Sequence, residues 1–290
     1  MIKYVPIINN KGGVGKTTTT INLAAGLARR GKRVLVVDLD SQGSASLALG
    51  IDRGDLEPSS AGLLFGEVAA SDVIRPSSVE GLDLISGSLR LADADTRLAD
   101  MSQRHKRLLN ALEPIEADYD VILMDCAPST SLLSVNALVA ADAFIIPVSP
   151  SYLSLEGVIS LGEVVKNVRM GLGDAAPVLG VLLTMVNAPM ASLMRCAAIT
   201  AEKSLIRRFV VIRPSKRLPG QASRSLHTLL IRKAPVTMRR SSMKSMTVWN
   251  DTGPFTARCD VKPPSEPSTP PPQSRCPSRR TIPDLISLVF

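Results

Sequence analysis

The chain has 290 residues, of which 45% are hydrophobic and only 3% are aromatic, and its formal net charge at pH 7 is +8. This length allows one or two domains, the scarcity of aromatic side chains argues against nucleic-acid recognition by base stacking, and no apolar run is long enough to span a membrane. The 4 cysteines lack metal-ligand spacing, which favours a reducing cytosol over a disulfide framework.

A glycine-rich segment lies close to the start of the chain. Residues 10–17 read Asn-Lys-Gly-Gly-Val-Gly-Lys-Thr and separate a strand-like apolar run, residues 4–8, from a helix-like run, residues 21–28. Glycines at such a junction let backbone N–H groups converge on phosphate oxygens, and the helix N-terminus adds its positive dipole end. In this kind of loop Lys16 reaches the β- and γ-phosphates, and the Thr17 hydroxyl coordinates Mg²⁺. The segment therefore predicts a site for ATP and Mg²⁺.

This segment departs from the usual phosphate-binding pattern at two positions. Asn10 stands where the first glycine is expected, and a second lysine, Lys11, follows it. The variant resembles the deviant Walker A loop of the ParA/MinD family of ATPases. The resemblance implies that Lys11 reaches the nucleotide of a second subunit, a role that requires an ATP-dependent homodimer. The nucleotide-binding residues implied by it are Lys11, Gly12, Gly13, Val14, Gly15, Lys16, Thr17 and Thr18.

A second motif follows the next predicted strand, residues 33–37, which is rich in β-branched residues. Residues 38–43 read Asp-Leu-Asp-Ser-Gln-Gly and resemble the Asp-x-Asp-Pro-Gln-Gly switch segment of the family, with Ser41 in the place of proline. The resemblance implies that Asp40 positions the attacking water and the metal. Asp38 is expected to cap the strand. The alternative is that both carboxylates are ordinary loop residues.

A third motif ends the apolar run of residues 119–128, where Asp125 is predicted to lie at the carboxyl end of a strand. This is the position of the Walker B aspartate, which holds Mg²⁺ directly or through water. Ligand sites of nucleotide-binding sheets gather at the carboxyl ends of strands, so three motifs that each follow a strand are mutually consistent. The catalytic residues that follow are Lys11, Lys16 and Asp40, and the metal ligands are Thr17, Asp40 and Asp125.

Strand and helix patterns alternate through the rest of the first two thirds of the chain. Further strands are predicted at residues 82–85, 144–148 and 178–185, and helices at residues 96–112 and 155–168, with another helix ending near residue 141. The predicted fold class is α/β, a doubly wound and mostly parallel sheet of the P-loop NTPase type. We assign residues 1–215 to this domain.

The remaining segment, residues 216–290, is predicted to be a disordered, basic, proline-rich tail. Residues 190–290 carry 18 Lys and Arg against 5 Asp and Glu, whereas residues 1–189 carry 16 against 21. Family resemblance stops near Ser215. A shifted reading of residues 225–240 can be made to resemble the closing strand and helix of the family, so a frameshift near Ser215 is the leading hypothesis. An evolved tail that binds DNA through phosphates is the alternative.

The function implied by the resemblance is that of a ParA-like ATPase. Such a protein dimerises on ATP, binds DNA without sequence preference and drives chromosome or plasmid partitioning with a ParB-like partner. We expect a cytoplasmic, nucleoid-associated protein without stable membrane association. Two alternatives stay open: a MinD-like membrane-associated positioning ATPase, and an inactive remnant that binds ATP without turnover.

Overall fold

The computed structural model describes residues 3–149, 152–172 and 176–185, together with four strands further along the chain. The helices are α1 (Lys16–Ala28), α2 (Ser44–Ala48), α3 (Ser60–Phe65), α4 (Ala70–Val73), α5 (Ala94–Ala99), α6 (Arg107–Leu112), α7 (Leu132–Ala140) and α8 (Tyr152–Leu172). The strands are β1 (Tyr4–Ile7), β2 (Val34–Leu39), β3 (Ile74–Pro76), β4 (Leu82–Ile85), β5 (Val121–Cys126), β6 (Phe144–Val148), β7 (Val178–Leu183), β8 (Phe209–Val211), β9 (Arg232–Lys233), β10 (Ser245–Asn250) and β11 (Gly253–Arg258). Three short 3-10 helices occupy Arg53–Asp55, Leu89–Asp93 and Glu113–Asp118.

Most of the described strands belong to one sheet. Their order across it is β3-β4-β2-β5-β1-β6-β7-β8-β9. Neighbouring strands from β4 to β8 run parallel, whereas β3 and β9 pair antiparallel with the strands beside them. The carboxyl ends of the parallel strands therefore point to one edge of the sheet, where β1, β2 and β5 lie next to each other. Each of the three sequence motifs begins at this edge.

Hydrophobic cores cover both faces of the sheet. β2 is buried at all of its positions, as is typical of a strand in the middle of a parallel sheet. Its side chains alternate, because Leu35 and Val37 belong to one apolar cluster and Val34 and Val36 to the other. Helix α1 packs on the second face, while α3, α5, α6 and α7 pack on the first. The predicted doubly wound, mostly parallel α/β sheet is confirmed.

The prediction of one continuous helix over residues 96–112 is wrong, because the structure has two separate helices there, α5 and α6. Between them Gln103 has a left-handed backbone with φ of 52°. Asn136, buried in α7, donates from Nδ2 to the carbonyl oxygen of Arg104 at 2.8 Å and accepts the N–H of Leu108 through Oδ1 at 3.1 Å. These bonds satisfy backbone groups that a continuous helix would have paired internally.

The predicted tail lies mostly outside the described residues, so its disorder, the boundary at residue 215 and the frameshift remain predictions. Within residues 216–290 the structure describes only β9, β10 and β11. β10 and β11 pair antiparallel, from Ser245 opposite Arg258 to Asn250 opposite Gly253. Over the described part of the chain, no helix has both the length and the apolar character needed to cross a bilayer.

Candidate functional site

Residues 8–15, here called the glycine loop, connect β1 to α1 at the carboxyl edge of the sheet. Gly13 and Gly15 have φ values of 71° and 85°, in the left-handed region that residues with a Cβ rarely adopt. Gly15 directly precedes the first residue of α1. The unpaired N–H groups of the first turn of α1 therefore start at this loop, and an exposed helix N-terminus is the usual place for a bound phosphate.

Two asparagines hold the glycine loop against neighbouring elements. Asn9 is fully buried, donates from Nδ2 to the carbonyl oxygen of Pro147 in β6 at 2.7 Å, and accepts the N–H of Lys11 at 3.0 Å through Oδ1. Asn10 donates from Nδ2 to the hydroxyl of Ser160 in α8 at 3.0 Å. The asparagine that replaces the first glycine of the motif thus ties the loop to a helix. We did not predict either role, which depends on elements more than 130 residues away.

Thr184 supports the glycine loop from the end of β7. Its buried hydroxyl donates to the carbonyl oxygen of Val14 at 2.7 Å, and its own N–H donates to Val148 at 2.9 Å. Thr184 therefore links the loop to the adjacent strand end. The only signal for it in the sequence was its place at the end of the strand predicted over residues 178–185.

Replacing Thr184 with Val is expected to lower the free energy of unfolding by about 1–3 kcal/mol, because it leaves the carbonyl of Val14 without its donor. Valine has almost the same shape as threonine, so the loss reports the hydroxyl. Urea denaturation measures it. Thr96→Val, an exposed position on α5, is the matched control and should change stability by less than about 0.5 kcal/mol. Equal stability of the Thr184 variant and the wild type would contradict this role.

Lys16 is the first residue of α1, and its side chain is buried. Its Nζ donates to the carbonyl oxygen of Lys11 at 3.0 Å, so the side chain lies back over the glycine loop. Burial lowers the pKa of the ammonium group, while the charges of Asp125 and Asp40 act in the opposite direction. The cation of Lys16 thus lies within electrostatic reach of both predicted metal-binding carboxylates.

Asp125 lies in β5, in register with Asp38 of β2 and Ile7 of β1. Its Oδ1 accepts a hydrogen bond from the hydroxyl of Thr20 at 3.1 Å, and the nearby side chain of Thr17 acts to lower the pKa of this carboxylate. Its Oδ2 is buried and has no hydrogen-bond partner among the described residues. Burial raises the pKa of Asp125 to about 7, and the negative charge of Asp38 adds to the effect. A buried carboxylate with one open oxygen beside threonine hydroxyls offers the hard ligands that Mg²⁺ prefers.

Asp40 begins a tight turn directly after β2. Its Oδ1 accepts the N–H of Gln42 at 3.0 Å, and its carbonyl oxygen accepts the N–H of Gly43 at 3.0 Å. Its side chain is partly exposed, and its charge acts on both Lys16 and Asp125. Residues 40–43, here called the Asp40 turn, therefore present a partly open carboxylate beside the glycine loop.

Asp38 was expected to cap its strand, and its buried carboxylate does accept the N–H of Asp40 just beyond β2, at 3.1 Å. It also accepts both the N–H and the hydroxyl of Ser46 in α2, at 2.9 and 2.7 Å. Burial raises the pKa of Asp38, and these hydrogen bonds oppose that shift. Asp38 thus connects the end of β2 to the next helix, α2. Both of its carboxylate oxygens are used in this connection, so neither is open toward the glycine loop.

Buried serines surround this part of the site and were missed in the sequence. The members of this serine cluster are Ser46, Ser59, Ser60, Ser86 and Ser88. The hydroxyl of Ser60 donates to the carbonyl oxygen of Asp38 at 2.6 Å, and those of Ser59 and Ser88 lie 2.9 Å apart. Serine is common in loops, so nothing in the sequence separated these residues from ordinary loop positions.

The structure brings the predicted catalytic and metal-binding groups of Lys16, Thr17, Asp40 and Asp125 to one edge of the sheet. Gly12, Gly13 and Thr18 form the exposed outer side of the same region, whereas Val14 is buried beneath it. The side chain of Lys11 is partly exposed and makes no ion pair with the described residues.

Comparisons with known proteins bear on the fold and the family of this chain. The family model AAA_31, described as an AAA domain, matches residues 2–176. The sporulation initiation inhibitor protein Soj of Bacillus subtilis is 45% identical over 188 residues, which are 65% of this chain and 74% of Soj. The chromosome partitioning protein ParA of Caulobacter vibrioides is 40% identical over 186 residues, 63% of this chain and 70% of that protein.

Among solved structures, cobyrinic acid a,c-diamide synthase from Mycobacterium smegmatis with bound ADP and magnesium superimposes with a TM-score of 0.66 at 32% identity. The superposition covers 72% of this chain and 84% of the synthase. A second structure of that enzyme contains an ATP analogue and magnesium. From the matched family model and the identity to Soj and ParA, we conclude that this chain belongs to the ParA/MinD family of P-loop NTPases and is homologous to the Soj and ParA partitioning proteins.

Proposed function

We propose that this chain is a partition ATPase that binds ATP and Mg²⁺ in the glycine loop and hydrolyses ATP as a homodimer. The observation that carries the proposal is the convergence of Lys16, Thr17, Asp40 and Asp125 beside the N-terminus of α1. A cation, a buried carboxylate, a partly exposed carboxylate and a hydroxyl at one helix N-terminus form a set suited to phosphoryl chemistry. The bound nucleotide and magnesium of the related synthase support the same ligands.

The fit to ATP and Mg²⁺ is supported by the groups that the site leaves open. Asp125 has a buried oxygen without a hydrogen-bond partner in the described chain, and a cation there would offset the cost of burying its charge. Among the described residues, Lys16 Nζ donates to one backbone carbonyl, so its ammonium group has further hydrogens for phosphate oxygens. Thr17 and Asp125 would hold Mg²⁺, with Asp40 beside them. When bound, Mg²⁺ neutralises charge on the phosphate oxygens.

Within this proposal each side chain has a separate task. The glycine loop and the N-terminus of α1 orient the phosphates through backbone N–H groups. Lys16 stabilises negative charge on the β- and γ-phosphates, and Asp40 orients the attacking water. Lys11 is free of ion pairs with described residues and would reach the nucleotide of the second subunit. ATP would thus hold two subunits together until hydrolysis.

The proposed cellular task is the movement of DNA cargo. The names of Soj and ParA, together with their identity to this chain, support chromosome or plasmid partitioning. The ATP-bound dimer would bind DNA without sequence preference, and a ParB-like partner would stimulate hydrolysis and release. Such a protein would act in the cytoplasm, associated with the nucleoid. The overall basic charge does not support DNA binding, because its excess lies in residues 190–290.

The test is ATP turnover by the purified full chain, measured with and without nonspecific duplex DNA. We expect Mg²⁺-dependent turnover that rises in the presence of DNA, as an electrostatic interaction predicts, and that loses this stimulation at high salt. A parallel sample with anionic liposomes distinguishes the membrane-associated alternative, which would co-sediment with vesicles in ATP. Binding of ATP without any turnover would contradict the proposal and identify an inactive remnant.

A further inference from the structure

Asp38 is a fully buried acidic group of the site. Both of its oxygens are engaged in the described structure. Oδ1 accepts the N–H of Asp40 at 3.1 Å, and Oδ2 accepts the N–H and the hydroxyl of Ser46. With its oxygens used in this way, Asp38 is arranged to hold neighbouring backbone.

Ser46 joins this carboxylate to a third segment of the chain. Its hydroxyl donates to Asp38 at 2.7 Å and accepts the N–H of Gly87 at 3.0 Å. Gly87 follows β4, so a single hydroxyl connects the end of β2, helix α2 and the end of β4. Ser46 is fully buried, so water could not easily replace its hydroxyl as the hydrogen-bond partner of Asp38 and Gly87.

The three segments meet directly behind the Asp40 turn. A Cβ built at Gly87 would lie 2.6 Å from the carbonyl oxygen of Asp40, so the two backbones are in close contact there. The same carbonyl oxygen closes the turn by accepting the N–H of Gly43. The backbone of Asp40 is therefore held by the hydrogen bond from its N–H to Asp38 and by its close packing against Gly87.

We propose that Ser46 is a positioning residue for hydrolysis, which fixes the Asp40 turn by bridging Asp38 to Gly87. The inference rests on the proposed function of Asp40 as the residue that orients water. Ser46 acts through other residues, because its hydroxyl is used by Asp38 and Gly87. Nucleotide binding is carried by the glycine loop and α1, which Ser46 does not contact through any described hydrogen bond.

The kinetic test compares Ser46→Ala, Ser46→Thr and Ser44→Ala. Ser46→Ala should lower kcat about tenfold and leave the Kd for ATP within about twofold, because a misplaced catalytic group costs turnover more than binding. Ser46→Thr retains a hydroxyl on the same carbon and should restore most of the turnover. Ser44 is exposed on the same helix, and its variant should behave like the wild type. Wild-type kcat in Ser46→Ala, or equal losses in Ser46→Ala and Ser46→Thr, would overturn the proposal.

Amide hydrogen exchange on the nucleotide-free proteins tests the same bridge independently of activity. In Ser46→Ala, exchange in peptides covering residues 38–48 and 85–89 should be about tenfold faster, while exchange in α1 stays unchanged. Unchanged exchange in both peptides would overturn the inference. If the wild type hydrolyses no ATP, the proposed function fails, and this measurement still decides whether Ser46 holds the Asp40 turn.

Discussion

Lys16→Ala is expected to abolish measurable ATP hydrolysis. The ammonium group of Lys16 is buried, bonds to the backbone of the glycine loop and lies within the field of Asp40 and Asp125. Without it, the negative charges of Asp40 and Asp125 would lose the buried ammonium group that offsets them beside the phosphates. Removal of one preorganised donor to a developing negative charge lowers turnover on the order of 10²–10³-fold, and the loss of phosphate binding adds to this.

The measurement is steady-state phosphate release together with equilibrium binding of a fluorescent ATP analogue. Lys11→Ala is the matched control, because it removes the other lysine of the same loop. The side chain of Lys11 is partly exposed and without an ion pair to described residues, so this variant should retain nucleotide binding by the single subunit. It should lose ATP-dependent dimerisation in sedimentation. Normal hydrolysis by Lys16→Ala would refute the role given to Lys16.

Much of the sheet could be predicted from the sequence because most positions of its central strands are apolar. The strands expected at residues 82–85 and 144–148 match β4 and β6. β6 is apolar and buried at every position, as a parallel strand covered on both faces requires. The strand expected at residues 178–185 ends two residues early, at Leu183. Its final part instead supplies Thr184, whose hydroxyl holds the glycine loop.

Helix ends proved harder to predict because they depend on distant side chains. Residues 96–112 have helical periodicity, yet the bonds from Asn136 to Arg104 and Leu108 favour a break between α5 and α6. A single amide in another helix therefore outweighs the local preference. No pattern within residues 96–112 could have indicated this contact.

The positions of the three motifs at strand ends could be predicted, because each motif follows directly on an apolar run in the sequence. The side chains that hold these motifs in place could not be predicted. Asn9, Thr184 and Ser46 are small polar side chains without a distinctive pattern, and their partners are up to 170 positions away in the chain. Their roles follow from the order and parallel direction of the strands, which bring the carboxyl ends of β1, β2, β4, β6 and β7 to the same edge of the sheet.

Asp40→Asn is expected to lower ATP turnover on the order of 10²-fold or more while leaving ATP binding nearly unchanged. Asparagine keeps the Oδ1 acceptor that bonds to the N–H of Gln42 at 3.0 Å, so the Asp40 turn should remain intact. The loss then reports the negative carboxylate itself. Because bound ATP is not consumed, the variant should accumulate as the ATP-bound dimer.

Comparison with Asp125→Asn separates the two carboxylates. Asp125 accepts a hydrogen bond from Thr20 and keeps a buried oxygen without a partner among the described residues, so its variant should weaken Mg²⁺-dependent ATP binding as well as turnover. Asp40→Asn should instead bind ATP with Mg²⁺ and form a stable dimer in size-exclusion chromatography. Asp40→Ala, which also removes the acceptor for Gln42, should lose at least as much turnover. Rapid hydrolysis by Asp40→Asn would mean that another group orients the attacking water, and the described carboxylate nearest to that role would then be Asp125.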